Sequence, residues 1–314
     1  MMNDVIVVGA GPAGVSAAVQ CKRLGLDVVL LDKTGAAGGL ISNAYQVENY
    51  PGLEAPVPGP IFAERLSRFV NGFDIPIHKE CVSHITPHIT TEGTPPSGWR
   101  VQTDFRELSC RGVVVACGTT PQPLSFLGRD LVENHGLVFH EVNRILERFS
   151  KPSVVIVGGG EASFDYALSI ARSGGTATIL CRGHSPRVQG RLAALVSETP
   201  AITLMTQSEL IRARVEPTAE YPPQVEIEIN HGASGCCTTL ARQRRHALLV
   251  AVGRKSLCQT LLDKSLCASN HLTPAPGLFI CGDARLGTLG QAGIAVGDGL
   301  HAAQQLLEMI GRYR

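Results

Sequence analysis

The chain has 314 residues, 44% hydrophobic and 18% charged, which is room for two ordinary domains with sizeable cores. Lys+Arg number 28 and Asp+Glu 27, a formal charge of +1, so the electrostatic footprint of nucleic-acid or anionic-membrane binding is excluded. No apolar run reaches the roughly 18 residues of a membrane span.

Val5 to Val8 is a continuous apolar run, the pattern of a strand buried on both faces. It starts so early that no secretory leader is expected. Gly9-Ala10-Gly11-Pro12-Ala13-Gly14 follows, then helical spacing to Leu24, a stop at Gly25, and a second apolar strand over 28–31. This is a βαβ unit, and its parallel strands predict a doubly wound sheet. Pro51 to Pro60 reads as an ordered loop or lid. Val113 to Ala116 forms another strand, ended by Cys117-Gly118, and 119–123 reads as a linker. A second βαβ unit runs from Ser153 to about Arg182, with Gly158-Gly159-Gly160-Glu161-Ala162-Ser163 after its first strand. Val225 to Ile229 alternates as a half-buried strand does. The basic run Arg242-Gln243-Arg244-Arg245 reads as a solvated hairpin edge, and Ala247 to Val252 as a fully apolar strand. Leu278 to Cys281, Gly282-Asp283 and a small-residue helix from about Gly290 finish the chain. The order predicts an α/β protein of two Rossmann-like dinucleotide-binding domains, one inserted into the other. The outer domain takes 1–120 and 246–314, the inserted one 121–245.

The glycine motifs carry the chemistry. In the first, Gly9 permits a tight turn, Gly11 lets backbone approach a pyrophosphate, and Gly14 lets helix and strand pack closely. The helix that starts at Pro12 and Ala13 offers free N–H donors to phosphates. Asp32 lies 18 residues past Gly14, at a strand end, where an acid bonds a ribose hydroxyl. The same offset in the second motif falls on Cys181, followed by Arg182 and then Arg187. A carboxylate there would repel a 2′-phosphate and a guanidinium binds one, so NADPH is expected over NADH. Asp283, at the end of a buried strand, suits a flavin ribityl hydroxyl. Four glycines between Gly290 and Gly299 weaken an isolated helix by about 1 kcal/mol each, and they fit a helix pressed against another surface such as an isoalloxazine ring. Two fingerprints and Gly282-Asp283 in one chain thus read as an enzyme that holds a flavin and a nicotinamide together, with no metal.

On these residues the chain resembles the thioredoxin reductase-like flavoproteins, the compact branch of the pyridine nucleotide–disulfide oxidoreductases. The resemblance covers nearly all of the sequence. It rests on the first fingerprint, Gly38-Gly39-Leu40, the stretch from Val47 to Gly52 with Asn49, Ala116 to Thr119 with Gly118, Gly158-Gly159-Gly160, Gly282-Asp283 and Gln291-Ala292. It implies FAD in the split domain, contacted by these motifs and by Asp32-Lys33, and NADPH in the inserted one, contacted by Gly158, Gly160, Glu161, Ala162 and Ser163. It further implies a homodimer, and domain rotation that brings nicotinamide to flavin. No dimerisation domain follows the last helix, which sets aside the larger glutathione reductase-like branch.

One departure decides the functional expectation. Thioredoxin reductases carry a Cys-x-x-Cys pair just before the second fingerprint, where this chain has Glu141-Val142-Asn143-Arg144, and none of its ten cysteines forms a Cys-x-x-Cys pair. The cysteines follow no disulfide framework either, which suits a reducing, cytoplasmic setting. Cys117 and Cys281 read as small core residues, and vicinal Cys236-Cys237 as an awkward disulfide. The expectation is an FAD-dependent NAD(P)H oxidoreductase that passes electrons directly to an external acceptor: a redox protein, a quinone or a small molecule. His140, Glu141 and Arg144 are the candidates to line the opening left by the missing dithiol, with a Glu141–Arg144 pair if that segment is helical. Beside it stands a disulfide reductase that uses other cysteines, and with it two further alternatives. One is a non-catalytic FAD-binding sensor or partner protein. The other is a ferredoxin- or flavodoxin-linked reductase of the same fold, although Tyr313 is the only aromatic in the tail to cover a flavin.

Overall fold

The computed structural model describes residues 2–89, 97–188, 190–216, 223–232, 239–267, 271–287 and 290–311. Cys236, Cys237 and Tyr313 lie outside them. The chain forms two compact units. The first comprises Met1–Ser42, Gln46–Thr120 and Arg254–Arg314, the second Asn43–Tyr45 and Pro121–Gly253.

The first unit is built on a sheet in the spatial order Ile77–Lys79, Val28–Asp32, Asn3–Val8, Glu107–Val115, Gly98–Thr103, Val82–His88. The long strand Glu107–Val115 does two jobs. Its first half pairs antiparallel with Gly98–Thr103, and its second half pairs parallel with Asn3–Val8 and with Leu278–Ile280. Side chains alternate between faces, so Val5 and Val7 enter one apolar cluster and Ile6 and Val8 another. That is why the run from Val5 to Val8 carries no polar position. The first cluster is closed by two helices, Pro12–Arg23 and Ala292–Gly311. Pro12 starts its helix where a missing N–H costs nothing, and Lys22 and Arg23 face the negative end of its dipole. The two helices pack so closely that a Cβ on Gly299 would lie 2.2 Å from the Ala13 carbonyl oxygen, and Ser16 donates to the Val296 carbonyl at 2.9 Å. The expected close approach of the glycine-rich helix therefore has a protein partner at Gly299, while Gly293 and Gly297 face open space.

The second unit holds five parallel strands in the order Ile202–Met205, Thr176–Leu180, Ser153–Val157, Ala247–Val250, Val138–Phe139. Beside them lies an antiparallel sheet of Ser208–Glu216, Gln224–His231 and Thr239–Arg245. The unit ends at Gly253, beyond the expected 245. Ala247 to Val250 are fully apolar because they form an inner strand between Ser153–Val157 and Val138–Phe139, and His246 Nδ1 accepts the Ser153 N–H at 2.9 Å. The basic run occupies Thr239–Arg245, where Arg242 lies 3.7 Å from Glu228 and Arg244 3.6 Å from Glu216.

Three residues far from the insertion in sequence, Asn43–Tyr45, belong to this second unit. Asp165, on helix Glu161–Arg172, accepts the Tyr45 N–H at 2.8 Å. Arg172 donates to the Tyr45 carbonyl at 2.8 Å and stacks over its ring at 4.5 Å. Burial pushes the Asp165 carboxyl up to about 6, against smaller opposing effects of the Tyr45 N–H and Arg172. A folded-state pKa above the unfolded value gives stability that is full below about pH 4 and lost as pH rises through about 6. Asp165→Asn, which mimics the neutral acid, should match the native protein near pH 4 and be the more stable form at pH 8, by on the order of 2–3 kcal/mol. Urea midpoints at the two pH values measure this. A variant less stable at pH 8 would show that the carboxylate is a net stabiliser.

Candidate functional site

The three glycines of the first fingerprint have different neighbours. A Cβ on Gly9, where φ is +102°, would lie 2.4 Å from the Ala116 carbonyl oxygen, and one on Gly14 would lie 1.8 Å from the Gly9 carbonyl oxygen. Both positions are closed by the protein itself. A Cβ on Gly11 would meet nothing within 4 Å, although Gly11 caps the helix in ordinary extended geometry, φ −71° and ψ −179°. The cradle therefore opens at Gly11, in front of the free N–H groups of Pro12–Arg23. Gly39 faces Gly11 from the other side, since its Cβ would sit 3.4 Å from the Gly11 Cα, and Gly38 donates to the Ala10 carbonyl at 2.9 Å. Leu40 follows half-buried and Lys33 is exposed.

Asp32 stands at the end of its strand as expected, and it also works inward. Its Oδ2 accepts the Ala10 N–H at 2.9 Å and its Oδ1 the Thr34 N–H and hydroxyl at 2.7 and 2.6 Å. The acid thus pins the fingerprint turn. Asn49 donates to Gln291 at 3.1 Å, which joins the Val47–Gly52 stretch to the residue just before Ala292. At Asp283 a Cβ on Gly290 would come within 1.8 Å of Oδ1, so the carboxylate fills the place of a side chain there. Burial raises the Asp283 pKa, and Arg254 opposes the rise. Arg254 also donates to the Thr119 hydroxyl at 2.9 Å and carbonyl at 3.0 Å. It links Thr119, beside Gly118, to Asp283, and the sequence offered no motif that marks it. Arg285 and Asp298 were missed too. Asp298 Oδ1 accepts from Arg285 at 2.7 Å and its Oδ2 accepts the Gly282 N–H at 2.9 Å, which fixes the turn that presents Asp283. The sequence signal was Asp298 itself, an acid between two helix glycines.

The second fingerprint also keeps one open glycine, the last of its three. A Cβ on Gly158 would lie 2.3 Å from the Ala251 carbonyl oxygen, one on Gly159 2.5 Å from the Cys181 sulfur, and one on Gly160 would meet nothing. Gly160 caps helix Glu161–Arg172, which starts through Glu161, Ala162 and fully buried Ser163. The Ser163 hydroxyl has no hydrogen-bond partner among the described residues. Cys181 is buried against the turn, and exposed Arg182 follows it. Arg187 is exposed as well, and its backbone returns to the fingerprint, donating to the Gly159 carbonyl at 2.7 Å.

The segment at 140–144 differs from expectation. Glu141 caps helix Val142–Arg148 and its Oε2 accepts from the Asn43 amide at 2.6 Å. Arg144 turns to Glu147 at 3.2 Å, so the expected Glu141–Arg144 pair gives way to an exposed one within the same helix. One turn of helix brings 144 as close to 147 as to 141, and Asn43 has taken the Glu141 carboxylate. His140 Nδ1 lies 3.4 Å from the Val250 carbonyl oxygen. His140 thus turns to Val250, Glu141 to Asn43 and Arg144 to Glu147. Cys117 and Cys281 are raised to about 12 and to a higher value respectively, chiefly by burial, as inert core thiols are. Among the described residues no group of three His, Cys, Asp or Glu side chains is placed to hold a metal.

The family model described as pyridine nucleotide-disulphide oxidoreductase matches residues 3–299. The thioredoxin reductase of Treponema pallidum is 25% identical over 307 residues, covering 96% of this chain and 94% of that one. Two solved thioredoxin reductases share the fold over 99% of both chains. That of Lactococcus lactis has a TM-score of 0.83 at 22% identity, and that of T. acidophilum 0.80 at 23%.

Proposed function

Because this chain belongs to the pyridine nucleotide-disulphide oxidoreductase family, we propose that it is an FAD-dependent NAD(P)H oxidoreductase that delivers electrons from flavin directly to an external acceptor. The observation that carries the reading is a pair of glycine-rich helix starts, one closed at Gly9 and Gly14 and open at Gly11, the other closed at Gly158 and Gly159 and open at Gly160, in a chain without Cys-x-x-Cys. The residues of the first unit fit FAD. The Pro12–Arg23 helix end and Gly11 receive the pyrophosphate, Asp32 holds the turn and offers its remaining acceptor capacity to the ribose, and Asp283 accepts from the ribityl chain. Gly160 and the free N–H groups at the start of helix Glu161–Arg172 receive the second dinucleotide, with Arg182 and Arg187 as the 2′-phosphate ligands. When bound, the flavin supplies two-electron chemistry between a reduced nicotinamide and the acceptor. The proposed form is a cytoplasmic homodimer. Among the described residues no helix is long and apolar enough to cross a membrane.

Anaerobic titration of the purified holoprotein tests this. NADPH should bleach the visible flavin absorbance stoichiometrically, NADH less efficiently, and Arg182→Ala should narrow the difference. Protein that neither contains nor binds FAD would end the proposal. A flavin that neither nucleotide reduces would favour the sensor reading or a ferredoxin- or flavodoxin-fed enzyme.

A further inference from the structure

The turn Gly282-Asp283 is held by several hydrogen bonds, none of which ends on the acid it presents. Gly282 sits between two helices. A Cβ there would lie 3.1 Å from the Cβ of Ala13 on Pro12–Arg23 and 3.3 Å from that of Ala295 on Ala292–Gly311. Its φ of +63° suits glycine. The Gly282 N–H donates to Asp298 Oδ2 at 2.9 Å, and the Gly282 carbonyl accepts the Arg285 and Leu286 N–H groups at 2.9 and 3.0 Å. Arg285 forks onto Asp298, with Nε 3.2 Å from Oδ2 and Nη2 2.7 Å from Oδ1. The Ser256 hydroxyl donates to the Ala284 carbonyl at 2.5 Å. The Asp283 carboxylate is half-buried and takes no hydrogen bond from the described residues.

Stability alone does not explain the Arg285–Asp298 pair. Its side chains are 19% and 11% exposed, whereas a surface pair such as Arg68–Glu64 leaves more than half of each side chain in water. Taking both charges out of water offsets much of their attraction, and packed apolar side chains of similar size often hold such a place as well. What an apolar side chain cannot do is accept the Gly282 N–H. The helix Pro12–Arg23 has its own tie to the last helix, through the Ser16 hydroxyl and the Val296 carbonyl at 2.9 Å and the close approach at Gly299. Asp298 therefore acts on the turn and not on the first cradle.

We propose that Asp298 is a positioning residue for the flavin half of FAD: with Arg285 it holds Gly282 so that the Asp283 carboxylate is placed to accept from the ribityl chain. The inference rests on the FAD reading above and deepens it. Loss of the Asp298 carboxylate frees the Gly282 peptide to turn, and Asp283 leaves its place. The cofactor then loses its ribityl contact and keeps its ADP half, which the Gly11 cradle receives.

The test is FAD rebinding to the flavin-depleted full-length chain, with ADP as competitor so that only the FAD site is read. Asp298→Ala should weaken FAD about tenfold or more, the weight of a charge-assisted hydrogen bond, and leave competition by ADP unchanged. In an Asp283→Ala background the same change should weaken FAD no further, because a residue that acts through Asp283 has nothing left to place. Urea midpoints of the flavin-free proteins report folding. Asp298→Asn, which keeps the shape and one acceptor oxygen, carries the same comparison should the alanine variant not fold. Unchanged FAD affinity in the Asp298 variants would overturn the proposal. So would equal losses for FAD and ADP, the mark of a merely structural residue, or additive losses in the double variant. Native protein that binds no FAD would end the FAD reading and this inference with it, whereas native FAD binding beside any of those three results overturns this inference alone.

Discussion

Given NADPH, the protein should reduce an artificial electron acceptor and leave the disulfide of thioredoxin at its background rate. Reduction of a protein disulfide by way of a flavin needs a thiolate that attacks it and a second thiol that resolves the mixed disulfide. The two positions where the resemblance to thioredoxin reductases would place that pair hold Glu141 and Arg144. Glu141 caps a helix and accepts from Asn43, and Arg144 pairs with Glu147 at 3.2 Å. Neither side chain can store or transfer an electron pair. Cys117 and Cys281 are held protonated by burial, so they are poor nucleophiles at neutral pH. Changing either to Ser should leave NADPH-driven reduction of the artificial acceptor largely intact. The measurements are acceptor turnover and insulin-coupled thioredoxin reduction on the same preparation. Efficient thioredoxin reduction by the native protein would refute the direct-transfer reading. Loss of acceptor turnover in one Cys→Ser variant with full FAD would reveal a thiol relay.

How far the sequence was readable depends on the range over which a signal acts. The buried parallel strands announced themselves because a strand covered on both faces needs an apolar residue at every position, as in Val5 to Val8 and Val154 to Val157. The alternating strand Gln224–His231 was equally plain, since one of its faces packs and the other is half-exposed. Those patterns are local. Which strand a run pairs with is not. Ala247 to Val250 reads the same whether it belongs to one sheet or another, and only its registry with Ser153–Val157 assigns it to the second unit. Asn43–Tyr45 shows the same limit, because its membership of that unit rests on Asp165 and Arg172, more than a hundred residues away.

The site divides along the same line. Gly9, Gly11 and Gly14 were given separate roles from spacing, and their surroundings differ, Gly9 and Gly14 closed by the chain and Gly11 open, because turn geometry and helix crossing are properties of a few adjacent residues. Arg254 was invisible, since a lone arginine after a strand has no pattern until Thr119 and Asp283 are brought beside it. The small residues of the last helix were readable as a close approach, without the identity of what approaches. A glycine reports that something lies close, and here Gly299 reports the helix Pro12–Arg23.

That difference between closed and open glycines yields the sharpest separation of folding from binding. Gly14→Ala should damage the fold, because its methyl would sit 1.8 Å from the Gly9 carbonyl oxygen and backbone cannot rotate away. Helix and turn must part, and overpacking of this kind costs about 3 kcal/mol. Gly11→Val should leave the fold near native stability, within about 1 kcal/mol, since its backbone is extended and its Cβ meets no atom within 4 Å. Yet that branched side chain would stand in the opening where the FAD pyrophosphate is proposed to lie. It should purify folded and colourless. Gly160→Val should behave in the complementary way, keeping its flavin and losing bleaching by NADPH, because Gly160 is the open glycine of the other cradle. Urea midpoints, the ratio of FAD to protein and anaerobic titration separate the three variants. A Gly11→Val protein with full flavin would move the pyrophosphate away from this helix end. A Gly14→Ala protein as stable as the native one would show that the turn relaxes more cheaply than its close packing implies.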